Sequence, residues 1–328
     1  MTSRRCRRRA VFARVFLLAA IGAGACGPRT SVTTPAFNFE PASFNESNAW
    51  EEVAAITGLG ERPSGSGAVA AAAAHLADRF RAHGLEPVID AFDDPSPSGL
   101  LTFRNVLATV SGGGSGIIII GSHYDTKAGI DGVFVGANDS ASSTGVLLEL
   151  ARLVQAAGYR RSGGPDIVFV AFDGEECAVT YGPTDGFHGS RHMARTLDES
   201  GDGRNVRAVI VMDMVGDRDL NIAIPRNSTP ALIQLAFHMA EAEGERSRFS
   251  LHPNAIGDDH AAFFNRGMPA IDLIDFTYGS RPGENDYWHT ENDTLDKLSP
   301  KSLGIVGRVT VRMINDVIGQ EKASSESR

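Results

Sequence analysis

The sequence predicts an α/β protein built as a three-layer sandwich around a mixed, mainly parallel central sheet. Short apolar runs bounded by turn residues alternate with longer helical patterns along the chain. The run Ile117–Gly121 is continuously apolar and β-branched, which is typical of a strand buried on both faces. The pattern over 139–157 then presents an apolar helical face, as a crossover helix between parallel strands requires.

The remaining elements follow from the same local patterns. Residues 68–83 are Ala-rich, which favours a helix, and Gly84 ends it. The run 166–172 predicts a central strand that stops abruptly at a polar turn. Further helices are expected over 48–57, 190–198, 229–243, 259–265 and 300–318, and further strands over 86–92, 102–110, 206–212, 220–224 and 270–274, with a short segment near Phe249.

The first 26 residues have the composition of an export signal. Six arginines and no acids precede the apolar run 15–21, and Ala23, Gly24 and Ala25 precede Cys26. That run is too short to span a membrane as a helix. The arrangement predicts a bacterial lipoprotein signal with Cys26 lipidated; soluble export and an uncleaved anchor stay open. Residues 27–48 are predicted to form a linker or arm, 49–319 one domain, and 320–328 a disordered tail.

Charge and cysteine content exclude several classes of protein. The chain of 328 residues has a formal net charge of −9, which becomes −15 once the six arginines of the signal are removed. Such an acidic surface argues against nucleic acid or anionic membrane as a partner. Because Cys6 and Cys26 belong to the signal, Cys177 is left alone, and the mature chain has no internal disulfide.

Side chains that can ligate a metal follow several expected strands. His123 and Asp125 come just after one strand and face the same way, so Asp125 can brace His123. The carboxyl ends of parallel strands meet at one sheet edge, where this ligand set would suit Zn²⁺. Taken singly, a His or Asp in such a position is more often a helix cap or a satisfied loop residue than a metal ligand. The other candidates are Asp139 at a loop–helix junction, Glu175 and Glu176 after 166–172, Asp213 after 206–212, and His289 before the last helix.

Seven motifs in order resemble metallopeptidase family twenty-eight, which contains di-zinc aminopeptidases and zinc-dependent glutaminyl cyclases of zinc-exopeptidase fold. They are HYD, GANDSASSTGVLLELAR, FDGEE, GSRHMA, MDMVG, DDHAAF and WHTENDT. The resemblance as a whole covers about residues 50–318. The resemblance implies a zinc enzyme acting on the N-termini of peptides or proteins. Its aminopeptidase branch implies two zinc ions bridged by Asp139. Glu175 would be the general base, and the remaining ligands would be Glu176, His123, Asp213 and His289.

The cyclase branch implies a different use of the same positions. One zinc ion would be held by Asp139, Glu176 and His289, while His123 and Asp213 would be ligands only where a second site exists. Glu175 would carry a proton from the α-amine of the substrate to the departing ammonia. Asp213 and Asp258 would form a hydrogen-bonded acidic network beside it.

Three features favour the cyclase branch. A long insertion, CAVTYGPTDGFH, follows Glu176; IGDDHAAFFNRGMPAIDLI resembles the cyclase segment that carries a pocket isoleucine, here Ile256; and Trp288 directly precedes His289. Tyr181 stands where animal cyclases have tryptophan, and it joins Ile256 and Trp288 as an expected pocket residue. Ser122 precludes the disulfide that flanks HYD in those enzymes. Since all five ligand types of the di-zinc enzymes are present, a second zinc ion stays open.

The sequence therefore predicts an exported bacterial zinc enzyme, periplasmic or anchored to a membrane only through lipid on Cys26. Conversion of N-terminal glutamine to pyroglutamate is the favoured reaction. Aminopeptidase hydrolysis is the alternative, and a surface lipoprotein that binds zinc without catalysis is a remote third.

Overall fold

The computed structural model describes residues 37–326 and contains seven α-helices and eight strands within that range. The helices are α1 Glu46–Thr57, α2 Gly67–Ala82, α3 Ser143–Ala156, α4 His188–Ser200, α5 Pro230–Ala242, α6 Asp259–Phe264 and α7 Pro300–Glu326. The strands are β1 Pro87–Ser96, β2 Gly99–Val110, β3 Ile117–His123, β4 Asp166–Phe172, β5 Val206–Asp213, β6 Ile222–Ile224, β7 Phe249–Leu251 and β8 Ala270–Ile274. None of the described helices combines the length and apolar character that a membrane crossing requires.

The central sheet has six strands in the order β1-β2-β4-β3-β5-β8. The hairpin partners β1 and β2 are antiparallel, and β2 is antiparallel to β4. The pairs β4–β3, β3–β5 and β5–β8 are all parallel. The predicted mixed, mainly parallel sheet is confirmed. Strands β6 and β7 form a separate parallel pair.

Helices cover both faces of this sheet, which confirms the three-layer sandwich. Alternate isoleucines of β3 show why, since side chains of a strand point to opposite faces. Ile118 and Ile120 pack into a large core with α1, α2, α3, α5 and α7, whereas Ile117 and Ile119 pack into a second core with α4 and α6. Every residue of β3 is buried, as the continuous apolar run predicted.

The segment before α3 differs from the prediction. Residues 139–157 were expected to form one helix with Asp139 near its start, but α3 begins at Ser143. A π-type turn, Ala137–Ser142, precedes it, and Asp139 within that turn has non-helical angles of φ −106° and ψ 82°. Both carboxylate oxygens of Asp293 accept backbone N–H groups from this turn, which removes the need for an Asp side chain to cap the helix.

The domain is longer at both ends than predicted. Residues 37–45, part of the expected arm, pack on the core: Phe39 and Phe44 are buried, and the Phe39 N–H donates to Asn315 Oδ1 at 2.7 Å. Helix α7 continues to Glu326, although 320–328 was expected to be disordered. The predicted signal, residues 1–26, and the lipidation site Cys26 lie outside the described residues.

Candidate metal centre and active site

The parallel strands bring the predicted ligands to one edge of the sheet. His123 is the last residue of β3 and is in register with Phe172, the last residue of β4. Asp213 is the last residue of β5 and is in register with Ile274, the last residue of β8. All four strands therefore end at the same level, and the loops that follow them share one space.

Asp139 lies at the centre of this edge, between two histidines. Its Oδ1 is 3.1 Å from the Nε2 of His123, and its Oδ2 is 3.3 Å from the Nε2 of His289. The same ring nitrogens also face Asp213 Oδ1 at 3.2 Å and Glu176 Oε1 at 3.1 Å. Each histidine thus shares Asp139 and has a second carboxylate of its own.

These contacts define two ligand triads with Asp139 in common. One consists of His123, Asp139 and Asp213, and the other of Asp139, Glu176 and His289. In each triad the candidate ligand atoms all lie within 4.8 Å of one another. Imidazole nitrogen and carboxylate oxygen are ligands that Zn²⁺ accepts, and three protein ligands leave a coordination position for substrate. The residues present therefore fit a metal ion.

The Glu175–Glu176 turn is fixed by Asp125. Asp125 Oδ1 accepts the backbone N–H of Glu175 at 3.1 Å, and Asp125 Oδ2 accepts the backbone N–H of Glu176 at 3.2 Å. Asp125 Oδ1 also lies 3.5 Å from His123 Nδ1, which is looser than the predicted brace. Asp125 therefore does more for the two glutamates than for His123, a role that the spacing of HYD alone did not indicate.

Burial raises the pKa values of Glu175 and Glu176. Burial, together with Asp139, raises the pKa of Glu176 to about 7, although its hydrogen bond with His289 opposes the shift. Burial raises the pKa of Glu175 well above its usual value, and the neighbouring carboxylates of Glu176 and Asp258 add to that effect. A carboxyl group with a raised pKa is better able to hold a proton that it accepts during a reaction and later returns.

The pKa shifts of the two histidines and of Asp139 favour their charged forms, whereas those of the two glutamates favour the neutral form. Burial opposes protonation of His289, but hydrogen bonds with Asp139 and Glu176 raise its pKa to about 10. Asp139 resists the upward effect of burial because His123 and His289 hydrogen-bond to it, and its pKa falls below the usual range. The strong attraction between these groups is the attraction that a cation at the same point would exploit.

Further acids lie behind the triads. Burial raises the pKa of Asp213 and Asp258, and Asp213 adds repulsion at Asp258. Among the described residues no direct hydrogen bond joins the two, so the expected bonded network is not seen as such; Asp258 instead caps α6 through the Asp259 N–H.

His260, in α6, faces another buried carboxylate. Its Nδ1 lies 3.8 Å from Asp272 Oδ2. With Asp258 these residues form a third buried group of potential ligands. Burial lowers the pKa of His260 to about 3, so its ring is neutral at physiological pH.

The predicted pocket residues lie around the same site. Ile256 is buried against Met214 and Ile274, and Phe276 and Trp288 pack on that cluster. The Trp288 ring stacks on His289 with centroids 3.9 Å apart. The structure thus brings Ile256 and Trp288 together beside the candidate ligand His289.

Tyr181 is brought to the glutamates. Its hydroxyl donates to Glu175 Oε2 at 3.4 Å and to Glu176 Oε2 at 3.2 Å. The ring stacks on Phe187 at 4.7 Å between centroids. The insertion after Glu176 therefore folds back over the glutamate pair, rather than extending into solvent.

Two site residues were missed from the sequence. Lys127 Nζ lies 2.8 Å from Cys177 Sγ and 4.0 Å from Glu176 Oε2, and it also donates to the Cys177 carbonyl. Cys177 is buried next to this cation. Phe276 was missed because the loop after β8 carried no recognised motif there. Lys127 directly follows HYDT, and that adjacency was the signal available for it.

This fold and this ligand set define a metal-dependent α/β enzyme of the exopeptidase type. The sequence model described as Peptidase family M28 matches residues 105–314, which is more than half of the chain. The chain belongs to peptidase family M28.

Three individual proteins show which kinds of enzyme this chain is similar to. A glutaminyl-peptide cyclotransferase-like protein from Bos taurus is 27% identical over 257 residues, which are 70% of this chain and 65% of that protein. The chain therefore spans slightly less than two thirds of that relative. The solved glutaminyl cyclase of an Acidobacteriales bacterium is 33% identical with a TM-score of 0.79, covering 90% of this chain and all of that one. A leucine aminopeptidase precursor from Bacteroides thetaiotaomicron is 25% identical with a TM-score of 0.72, covering 84% and 99%.

Proposed function

We propose that this enzyme is a zinc-dependent glutaminyl-peptide cyclotransferase, which converts the N-terminal glutamine of peptides into pyroglutamate and releases ammonia. The observation that carries the proposal is Glu175, a buried carboxyl of raised pKa that adjoins the ligand Glu176 and accepts the Tyr181 hydroxyl. The similarity to glutaminyl cyclases supports this reading.

The reaction requires one proton to move between two nitrogens. The neutral α-amine attacks the γ-carbonyl carbon of its own glutamine side chain, and a carbon–nitrogen bond forms. Glu175, ionised at the start, takes the proton that the amine loses. Glu175 then returns that proton to the γ-nitrogen as the second carbon–nitrogen bond breaks and ammonia leaves. Glu175 ends the cycle ionised, so no water or other reactant is consumed.

Asp139, Glu176 and His289 are the residues that would hold the zinc ion. When bound, zinc supplies Lewis-acid polarisation of a carbonyl oxygen. Ile256, Phe276 and Trp288 provide an apolar aromatic wall against which a neutral glutamine side chain can fold back on its amine. In addition to burial, Asp213 raises the pKa of Asp258, and the Asp258 carboxylate in turn raises the pKa of Glu175, which favours retention of the proton by Glu175 between its two transfers.

Aminopeptidase activity is the second candidate, because the His123–Asp139–Asp213 triad is also complete. Two metal ions sharing Asp139 would suit hydrolysis at the N-terminus. The likeness to a leucine aminopeptidase precursor supports this alternative.

One experiment decides between the two. Purified protein is given peptides that begin with Gln, matched peptides that begin with Asn, and leucine anilide. Ammonia release from the Gln peptides alone, with loss of free amine, supports cyclisation. Hydrolysis of leucine anilide without cyclisation overturns it in favour of the peptidase. Zinc analysis of the same sample gives the number of ions, which we expect to be one.

Export and lipid attachment at Cys26 are part of the same proposal. The basic and apolar runs before Cys26 support them. Wild-type protein expressed in a bacterium is expected in the membrane fraction, and Cys26→Ser in the soluble fraction. Equal distribution of the two forms would contradict lipidation.

A further inference from the structure

Arg62, in the loop between α1 and α2, is a fully buried cation. Its guanidinium donates only to backbone carbonyl oxygens among the hydrogen bonds of the described residues. The acceptors are Tyr124 O at 2.7 Å, Gly60 O at 2.8 Å, Val135 O at 2.7 Å and Gly136 O at 3.2 Å. A planar guanidinium with several fixed donors can join separate backbone segments in this way, and an ammonium group of lysine cannot reproduce that fork.

Three of the four acceptors, Tyr124, Val135 and Gly136, belong to the two segments that present His123 and Asp139, and the fourth, Gly60, lies in the same loop as Arg62. Tyr124 lies between His123 and Asp125, and Gly136 opens the turn that contains Asp139. The backbone N–H of Arg62 also donates to Thr126 Oγ1 at 2.9 Å, and the backbone N–H of Thr126 donates to the backbone carbonyl of Arg62 at 3.3 Å. Arg62 therefore fixes the position of one ligand-bearing backbone relative to the other.

Asp293 fixes the same turn by accepting hydrogen bonds from the backbone N–H groups of that turn. Its Oδ1 accepts the Asn138 N–H at 2.7 Å, and its Oδ2 accepts the Asp139 N–H at 3.0 Å. The Tyr278 hydroxyl donates to the same carboxylate at 2.8 Å, and the group is fully buried. The turn is thus held through carbonyl oxygens by a cation and through N–H groups by an anion.

The charges agree with this arrangement. A buried charge is normally paired, because its removal from water is costly. Among the ion pairs of residues 37–326 none includes Arg62. Burial lowers its pKa only to about 10, while Asp125, Asp293 and Asp139 oppose the shift, so Arg62 stays charged at neutral pH. Its positive charge therefore compensates the ligand carboxylates without occupying them.

We propose that Arg62 and Asp293 are positioning residues, which hold the Asp139 turn against the His123 strand end and thereby preorganise the metal-binding carboxylate. The inference rests on the metal centre of the proposed function, but it is independent of whether cyclisation or hydrolysis follows. Residues that orient metal ligands typically contribute about 10–100-fold to metal affinity.

The test measures zinc affinity by chelator competition in Arg62→Met, Arg62→Lys and Asp293→Asn, with the thermal midpoint of the zinc-free protein recorded for each. We expect zinc affinity to fall about 10–100-fold in Arg62→Met and Asp293→Asn, and less in Arg62→Lys, which retains the charge. The matched control is Arg308→Met, since Arg308 pairs with Glu243 and Glu46 away from the site. It should bind zinc like the wild type.

The outcomes separate positioning from bulk stability. If a variant loses thermal stability but still binds zinc with wild-type affinity, the replaced residue has only a structural role. That result overturns the proposal. If Arg62→Met does not fold, Asp293→Asn decides alone by the same criterion. Because zinc affinity is read without substrate, a failure to cyclise Gln peptides would overturn the proposed function and leave this inference standing.

Discussion

One carboxylate oxygen of Asp139 lies 3.1 Å from the Nε2 of His123. The other oxygen faces His289, so Asp139 belongs to both ligand triads at once. Because Asp139 is shared, the residues present are compatible with either a mononuclear or a dinuclear metal centre. Replacing each histidine in turn tests which of the two centres forms.

His289→Ala should remove tight zinc binding and reduce turnover by about 10³-fold or more, because it deletes one of three ligands of the triad with Glu176. His123→Ala should leave one tightly held zinc ion, because the triad of Asp139, Glu176 and His289 remains complete. Zinc content by atomic absorption and turnover of Gln peptides are the measurements. Equal loss of zinc from both variants would indicate a dinuclear centre and contradict the cyclase assignment.

Glu175→Gln should abolish turnover while zinc content stays at the wild-type level. The amide cannot accept the amine proton, yet Glu175 belongs to neither ligand triad. General acid–base groups contribute about 10²–10⁴-fold to rate, and we expect a loss of about that size. Glu241→Gln, an exposed change on α5, is the matched control. Activity that survives in Glu175→Gln would refute the proton-carrier role.

Tyr181→Phe should slow turnover by about 10-fold without loss of zinc. Its hydroxyl donates to both Glu175 and Glu176 at 3.4 and 3.2 Å, and removing one charge-assisted hydrogen bond costs about 1.5–3 kcal/mol. The ring and its stacking on Phe187 are retained in the variant. Steady-state kinetics of Tyr181→Phe beside Tyr287→Phe provide the check, and identical rate constants would show that the hydroxyl has no role.

Asp173→Asn should make stability less sensitive to pH. Burial, with help from Asp125, raises the pKa of Asp173 to about 8, whereas an aspartate in an unfolded chain titrates near 4. Between about pH 4 and pH 8 the folded state therefore holds a proton that the unfolded state has released. Wild-type stability should fall as pH rises through that window, by up to about 1.4 kcal/mol per pH unit from this group.

Urea unfolding of the zinc-free protein at several pH values measures this effect. Asp173→Asn should gain stability relative to the wild type as pH rises from 5 to 8 (a range set by the two pKa values above). Asp198→Asn, an exposed change on α4, should follow the wild-type profile. A constant difference between Asp173→Asn and the wild type across that range would show that Asp173 does not titrate as described.

The sequence alone predicted the layers, the mainly parallel sheet and nearly all elements to within a few residues. The run Ile117–Gly121 predicted a central strand of that sheet, because a β-branched segment without polar residues is stable only when both of its faces are covered. The sequence also indicated candidate ligands after several strands, because the carboxyl ends of parallel strands meet at one edge of a sheet. The resemblance to the family then singled out His123, Asp139, Glu176, Asp213 and His289. Helix boundaries were predicted less well at Asp139, where hydrogen bonds to Asp293 hold the backbone, and after Ile318, where the helix continues to Glu326.

Tertiary structure alone decided how these groups are held. Arg62, in a Gly- and Pro-containing loop, reads as a solvated charge from sequence, yet the fold buries it under two ligand segments. Asp125 reads as a brace for His123, yet its oxygens accept two N–H groups from a turn about fifty residues away. Local pattern specifies which residue types end a strand. Which backbone N–H and carbonyl groups those residues must satisfy depends on segments that meet only once the sheet has formed.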